Sequence, residues 1–224
     1  MNILTDILPK SLTIDGISYP IFTDFRVYIR LEEMIKNKNV SNSQSAFIDE
    51  INEINPETSY EQALLYAKYS EALQMVYKTI PDNLDLAINQ MLWFYQCGKT
   101  PEEKSVKSGK KSQQIYSYTY DADYIYAAFY EQYNVDLNEE KLHWWKFSAM
   151  FSGLKEDCMI SKIMGYRATS TSGMDADHRK FYKKMKQVYK LPDLKSEEEK
   201  QLERNLEDAL LNGGDLDSIL NYSS

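Results

Sequence analysis

The stretch Ile115–Arg167 constrains this chain more than any other. Seven of the 18 tyrosines lie between Tyr116 and Tyr133 alone, and two of the three tryptophans are Trp144 and Trp145. Each large aromatic side chain buries enough surface to dominate a core or a contact face. A block this dense is therefore either the centre of a core or a large interaction surface, and the remaining chain must fold around it.

Within the block, Tyr116, Tyr118 and Tyr120 alternate, which predicts a short strand near 115–120 able to join a hairpin elsewhere. Asp121 or Asp123 then caps a helix through Tyr133, apolar nearly all round and so expected to be buried on several sides. Asn138 caps the next helix, with Glu139 and Glu140 at its positive end. Leu142, Trp145 and Ala149 line one face of that helix, and Trp144, Phe147, Phe151 and Leu154 another. A third helix, from about Lys155, carries Met159, Ile160, Ile163 and Met164 in one stripe.

The preceding part of the chain supplies partners for this core. Ile3–Leu8 is a short apolar run before Pro9. In SLTIDGISYPI, Asp15-Gly16 lies between two alternating runs, a strong hairpin signal because both residues tolerate positive φ. Thr23 or Asp24 caps a helix to about Lys36. The polar run Asn37–Ser45 reads as loop. Phe47, Ile48, Ile51 and Ile54 form a short amphipathic helix stopped before Pro56. Ser59 opens a helix in which Leu65, Tyr69, Ala72, Val76 and Ile80 recur at helical spacing. After Pro81, Asp82 caps another, with Leu84, Ile88, Met91, Leu92 and Tyr95 inward and Gly98 as terminator. Residues 99–114 (KTPEEKSVKSGKKSQQ after the glycine) are too polar to bury surface and predict a flexible loop.

Beyond the block, Asp175 or Asp177 starts a basic helix with six Lys or Arg between Arg179 and Lys190, edged by Phe181, Met185 and Val188. Pro192 ends it. Residues 193–224 hold nine acidic and three basic residues, so the net charge of −8 is concentrated there. Residues 196–211 read as an acidic helix with a leucine stripe, placed to pair antiparallel with the basic helix. Leu216, Ile219 and Leu220 follow Gly213-Gly214 at helical spacing, too few to fold alone and available to a partner. The resulting expectation is a mostly α fold: residues 1–192 as one helical domain with an N-terminal β-hairpin, and residues 193–224 as an acidic helix and tail.

The same features restrict function. A nearly neutral body with an acidic end lacks the basic face a nucleic-acid binder needs. No run approaches the ~20 apolar residues of a membrane helix, and MNILTDILPK lacks the form of a signal peptide. Cys97 and Cys158 have no metal or redox spacing and read as reduced thiols of a cytosolic protein. His143 and His178 fall on different helices, which weighs against zinc, and His143 reads as a rim residue of the core. Neither phosphate-loop, dinucleotide, nucleophile-elbow nor zinc-protease motifs occur. No catalytic, metal or cofactor site is expected. The candidate partner-binding residues are Trp144, as a hot spot of an aromatic surface, and the tail residues Leu216, Ile219 and Leu220.

Three stretches together carry a family resemblance: MNILTDILPKSLTIDGISYPIFTDFR, LWFYQCGK, and YSYTYDADYIYAAFYEQYNVDL with LHWWKFSAMFSGL and SKIMGYR. In this order they resemble the bacteriophage "gp fifteen" family of tailed phages and prophages of Gram-positive bacteria. The resemblance implies a protein of the tail gene cluster, acting as a tail assembly chaperone. Such a chaperone binds the long helical tape measure protein, helps recruit tail tube subunits, and leaves before the virion is complete. It implies residence in the host cytoplasm and no cofactor. Self-association is compatible with it. The alternative is a structural tail component retained in the virion, and a third class is a small phage-encoded enzyme or host-takeover factor.

Overall fold

The hairpin opens the fold as expected. Strands β1 (Ser11–Ile14) and β2 (Ile17–Pro20) pair antiparallel, with Leu12 opposite Tyr19 and Ile14 opposite Ile17. Asp15 and Gly16 turn the chain with φ of 49° and 79°, the double positive φ of a two-residue hairpin turn. The alternation sends Leu12 and Ile14 into the core. The computed structural model describes residues 2–37, 39–99 and 114–192. The 100–113 part of the predicted loop, the acidic helix and the tail residues Leu216, Ile219 and Leu220 lie outside them.

Eight helices follow among the described residues: α1 (Phe25–Lys36), α2 (Asn42–Ile54), α3 (Tyr60–Val76), α4 (Leu84–Tyr95), α5 (Ala122–Tyr133), α6 (Trp144–Ser152), α7 (Met159–Ala168) and α8 (Ala176–Val188). The fold is mostly α with one small hairpin. Asp24 caps α1 by accepting from the Arg26 amide, and Ser59 caps α3 in a capping box with Gln62. Asp175 caps α8, accepting from the amides of Asp177 and His178. Each satisfies amides that a helix start leaves without an intrahelical partner.

One main core joins β1, α1, α3, α4, α5, α6 and α7. At its centre Phe147, fully buried, stacks on Phe25 at 4.6 Å and on Phe129 at 5.0 Å between ring centroids. A smaller cluster of Ile48, Ala63 and Ala67 holds α2 against α3. The small alanines let the two helices approach closely, and the buried Gln44 amide donates to Glu71 across them at 2.7 Å.

Several expected elements differ. Residues 3–8 form a turn and an extended lead rather than a strand, with Leu4 and Ile7 exposed. Residues 114–121 are loop and turn, not a third strand, because side chains occupy the backbone groups a ladder would use. The Asp121 carboxylate accepts from the Ser117 amide at 2.9 Å, Arg167 donates to the Ile115 carbonyl at 3.0 Å, and the Gln114 amide donates to the Tyr116 carbonyl at 2.9 Å. Helix α2 starts inside the predicted 37–45 loop, where Ser41 and Gln44 form a capping box. Helix α3 stops at Val76, short of Ile80, and Asn83 rather than Asp82 caps α4. The helix expected from Asn138 begins only at Trp144. Before it, the Arg26 guanidinium gathers the carbonyls of Leu137, Asn138 and Glu140 and holds that segment as a turn. The helix expected from Lys155 begins at Met159.

Candidate docking groove

Trp144 does not present a surface. It is 4 % exposed, stacks against Tyr28 and Tyr95, and donates its indole N–H to the Tyr95 carbonyl at 2.8 Å. Its neighbour Trp145, 3 % exposed, donates to the Phe94 carbonyl at 2.8 Å. The two adjacent indoles thus donate to carbonyls at the C-terminal end of α4, that of Phe94 also accepting from the Cys97 amide at 2.9 Å. Trp144 is therefore a core residue and not the exposed partner-binding hot spot expected from the sequence.

His143 shares that structural role. Its Nδ1 accepts from the Trp145 amide at 3.1 Å, capping α6, so Nε2 carries the proton and donates to the Pro9 carbonyl at 3.0 Å. Burial, and behind it the nearby Lys146 and Lys10, lower the His143 pKa, with the Pro9 bond opposing. His178 is far away on α8, exposed, with its ring on Asp175 at 2.5 Å. Among the described residues no group of three or more His, Cys, Asp or Glu gathers that could hold a metal ion. Nor is any helix among them long and apolar enough to cross a membrane.

A second polar cluster is centred on a buried carboxylate. Glu32, 6 % exposed, accepts from the Tyr95 hydroxyl at 2.6 Å and pairs with Lys36, whose ammonium lies over the Tyr116 ring. Burial first, then the hydrogen bond to Glu32, pushes the Tyr95 hydroxyl far above its ordinary pKa. Every buried side-chain N or O among the described residues has a partner. This network fastens α1 to α4 and to the tyrosine segment.

Among the described residues there is also an open, apolar feature. A groove of about 760 Å³ runs between α2, α3, α4 and the connection before α4. Phe47 and Ile51 come from α2, Tyr66, Tyr69 and Ser70 from α3, Ile80 from the connection, and Leu84, Asp85, Ile88, Asn89 and Leu92 from α4. Leu73, 3 % exposed, forms its floor, while Tyr66, Leu84 and Ile80 stand on its lips at 54 %, 50 % and 42 % exposure. The groove exists because α4 is apolar on two sides. Ala87, Met91 and Phe94 enter the main core, and Leu84, Ile88 and Leu92, four residues apart, line the groove. These last three were expected to face inward together with Met91, and of them Ile88 does pack against the main core as well as lining the groove. The signal that pointed outward was an apolar arc on α4 too wide for one core face.

Such a groove has the form that receives the apolar face of an amphipathic helix, with anchors at i, i+4 and i+7. It holds no nucleophile–base pair and no convergent charged groups, so its chemistry is recognition. Helix α8 is a second exposed apolar feature. It has no fully buried residue, and Phe181 and Val188 are 47 % and 59 % exposed.

The family described as Bacteriophage Gp15 protein matches residues 61–191, more than half of the chain. The match contains LWFYQCGK, the tyrosine block, HWWKF and SKIMGYR, and excludes the opening hairpin. It also includes two of the groove's walls, α3 and α4. No curated protein and no solved structure matches this chain.

Proposed function

This chain belongs to the Bacteriophage Gp15 protein family, and on that premise we propose that it is a non-enzymatic tail assembly protein, a chaperone that binds the tape measure protein while the tail is built. The observation that carries this reading is the open apolar groove between α2, α3 and α4. A tape measure is a long helical client whose apolar stripe needs cover until tail tube subunits enclose it. A groove with a buried floor and exposed apolar lips offers that cover through helix-in-groove contact. Docking there removes the exposed half of Tyr66, Ile80 and Leu84 from water, a gain for Ile80 and Leu84 of about half the roughly 1.5–3 kcal/mol that full burial of such a side chain contributes. Recognition of this kind requires no cofactor. The chaperone acts in the host cytoplasm and is absent from the finished virion.

The test is co-expression with the tape measure protein, followed by size-exclusion chromatography with light scattering. The expected result is a soluble complex for the wild-type chain and its loss for Tyr66→Ser/Leu84→Ser, whose changed residues are exposed enough to leave the fold intact. Separate elution of wild-type chain and soluble tape measure would overturn the reading. Finding the chain at stoichiometric levels in purified particles would instead favour a retained tail component.

A further inference from the structure

We infer that the groove between α2, α3 and α4 selects a cationic amphipathic helix, one whose apolar stripe is flanked by Lys or Arg. The inference rests on the groove reading above and specifies the chemistry of its occupant. The walls and their connections, residues 42–92, carry eight carboxylates and only two lysines. Neither lysine serves the groove. Lys68 donates to the carbonyls of Ile35 and Asn37 at 3.0 and 2.8 Å, closing the end of α1, and Lys78 lies over the Phe22 ring.

The carboxylates are placed differently. Asp85 lines the groove itself. Glu50, exposed, lies three residues after the lining residue Phe47, so helical spacing sets it beside the α2 wall. Asp82, exposed, is two residues from the lip residue Ile80. None of these three has an ion-pair partner among the described residues. An apolar trough edged by unpaired carboxylates attracts a helix with positive flanks and repels one with negative flanks. Rim charges of this kind govern orientation, partner choice and association rate. The acidic segment 193–224 of this same chain has the wrong sign to occupy the trough, although its Leu216, Ile219 and Leu220 have the right spacing.

The experiment uses the full chain and two fluorescent 20-residue helical peptides with the same leucine stripe, one flanked by lysines and one by glutamates. Binding is read by anisotropy at low and at raised salt. The expected result is roughly tenfold tighter binding of the lysine peptide at low salt, an advantage that shrinks as salt screens the rim. Glu50→Lys/Asp85→Lys should reverse the preference, and Tyr66→Ser/Leu84→Ser should abolish binding of both peptides. Equal binding of the two peptides, lost in the lining variant, would overturn the charge inference and leave the groove reading standing. Lysine-peptide binding that survives the lining variant would place the cation elsewhere and overturn the inference. Failure of both peptides, with a tape measure complex that also survives the lining variant, would overturn the inference and the groove reading together. Dimerisation of the chain abolished by Phe181→Glu and blocked by the lysine peptide would support the charge inference, because α8 is itself a basic amphipathic helix, and would overturn the tape measure as the occupant in favour of a second copy.

Discussion

Arg167 and Asp121, on α7 and at the start of α5, form a buried two-pronged ion pair at 2.6 and 2.9 Å. Their side chains are 7 % and 3 % exposed. The same guanidinium donates to the carbonyls of Ile115 and Tyr189, and the same carboxylate accepts from the Ser117 amide. Four segments are thereby tied at one point. Asp121 gives up the usual side-chain cap of α5 to serve this junction.

Removing one partner leaves the other charge buried and unpaired, which typically costs 3–5 kcal/mol. Arg167→Ala and Asp121→Ala should each destabilise the chain by about 3–5 kcal/mol in urea unfolding. Their effects should be strongly non-additive in the double variant, since the two charges share one interaction.

His143 predicts a pH response. Its folded-state pKa lies below its ordinary value of 6.5, chiefly through burial. The unfolded chain therefore takes up the proton first as pH falls. Stability from this group is complete above about pH 6.5 and declines as pH drops below it toward the folded pKa. His143→Asn keeps a capping side chain but removes the titration. Its melting temperature should fall less than that of the wild type between pH 7.5 and 5.5.

Gly98 is required by two independent constraints. Its φ is +72°, and a Cβ there would lie 2.8 Å from Cη2 of Trp145 and 3.3 Å from Trp93. Both neighbours are large rings, one of them locked by its bond to Phe94. Gly98→Ala should cost at least about 1–3 kcal/mol in strain, from backbone and contact together. Gly173, with φ +79° and nothing near its Cβ position, serves as the control and should lose only about 1 kcal/mol as alanine.

Phe147 tests the core. It is fully buried and has ring contacts with Phe25, Tyr118, Phe129, Trp144 and Phe151. Phe147→Ala should lower stability by about 3–5 kcal/mol, and Phe147→Leu by less, as measured by denaturant midpoint at unchanged slope.

Much of this fold was legible in the residues. Asp-Gly between alternating runs specified the hairpin, Ser59 specified one helix start, and Thr23-Asp24 and Asp175/Asp177 each narrowed another to two residues, because these signals act through their own backbone neighbours. The misses share a different cause. The strand expected from Tyr116, Tyr118 and Tyr120, and the helix expected from Asn138, were both displaced by arginines distant in the chain. Arg167 and Arg26 take up the backbone carbonyls of those segments, which no local pattern reveals. Alternation still correctly placed Tyr116 and Tyr118 together, with their rings 5.2 Å apart. Trp144 was misassigned for the same reason: its burial depends on α1 and α4, not on its own helix. The groove was half visible, since α4 is too apolar for one face, but the second face could not be assigned before α2 and α3 were placed against it.

Occupation of the α2–α3–α4 groove by the tape measure protein is the proposal on which the rest depends. The most direct measurement is the mass of the complex formed by co-expressed tape measure with the wild-type chain and with Tyr66→Ser/Leu84→Ser. The account predicts a soluble complex with the first and none with the second, with both chains equally folded by circular dichroism. A complex of equal mass and yield with both chains would contradict it.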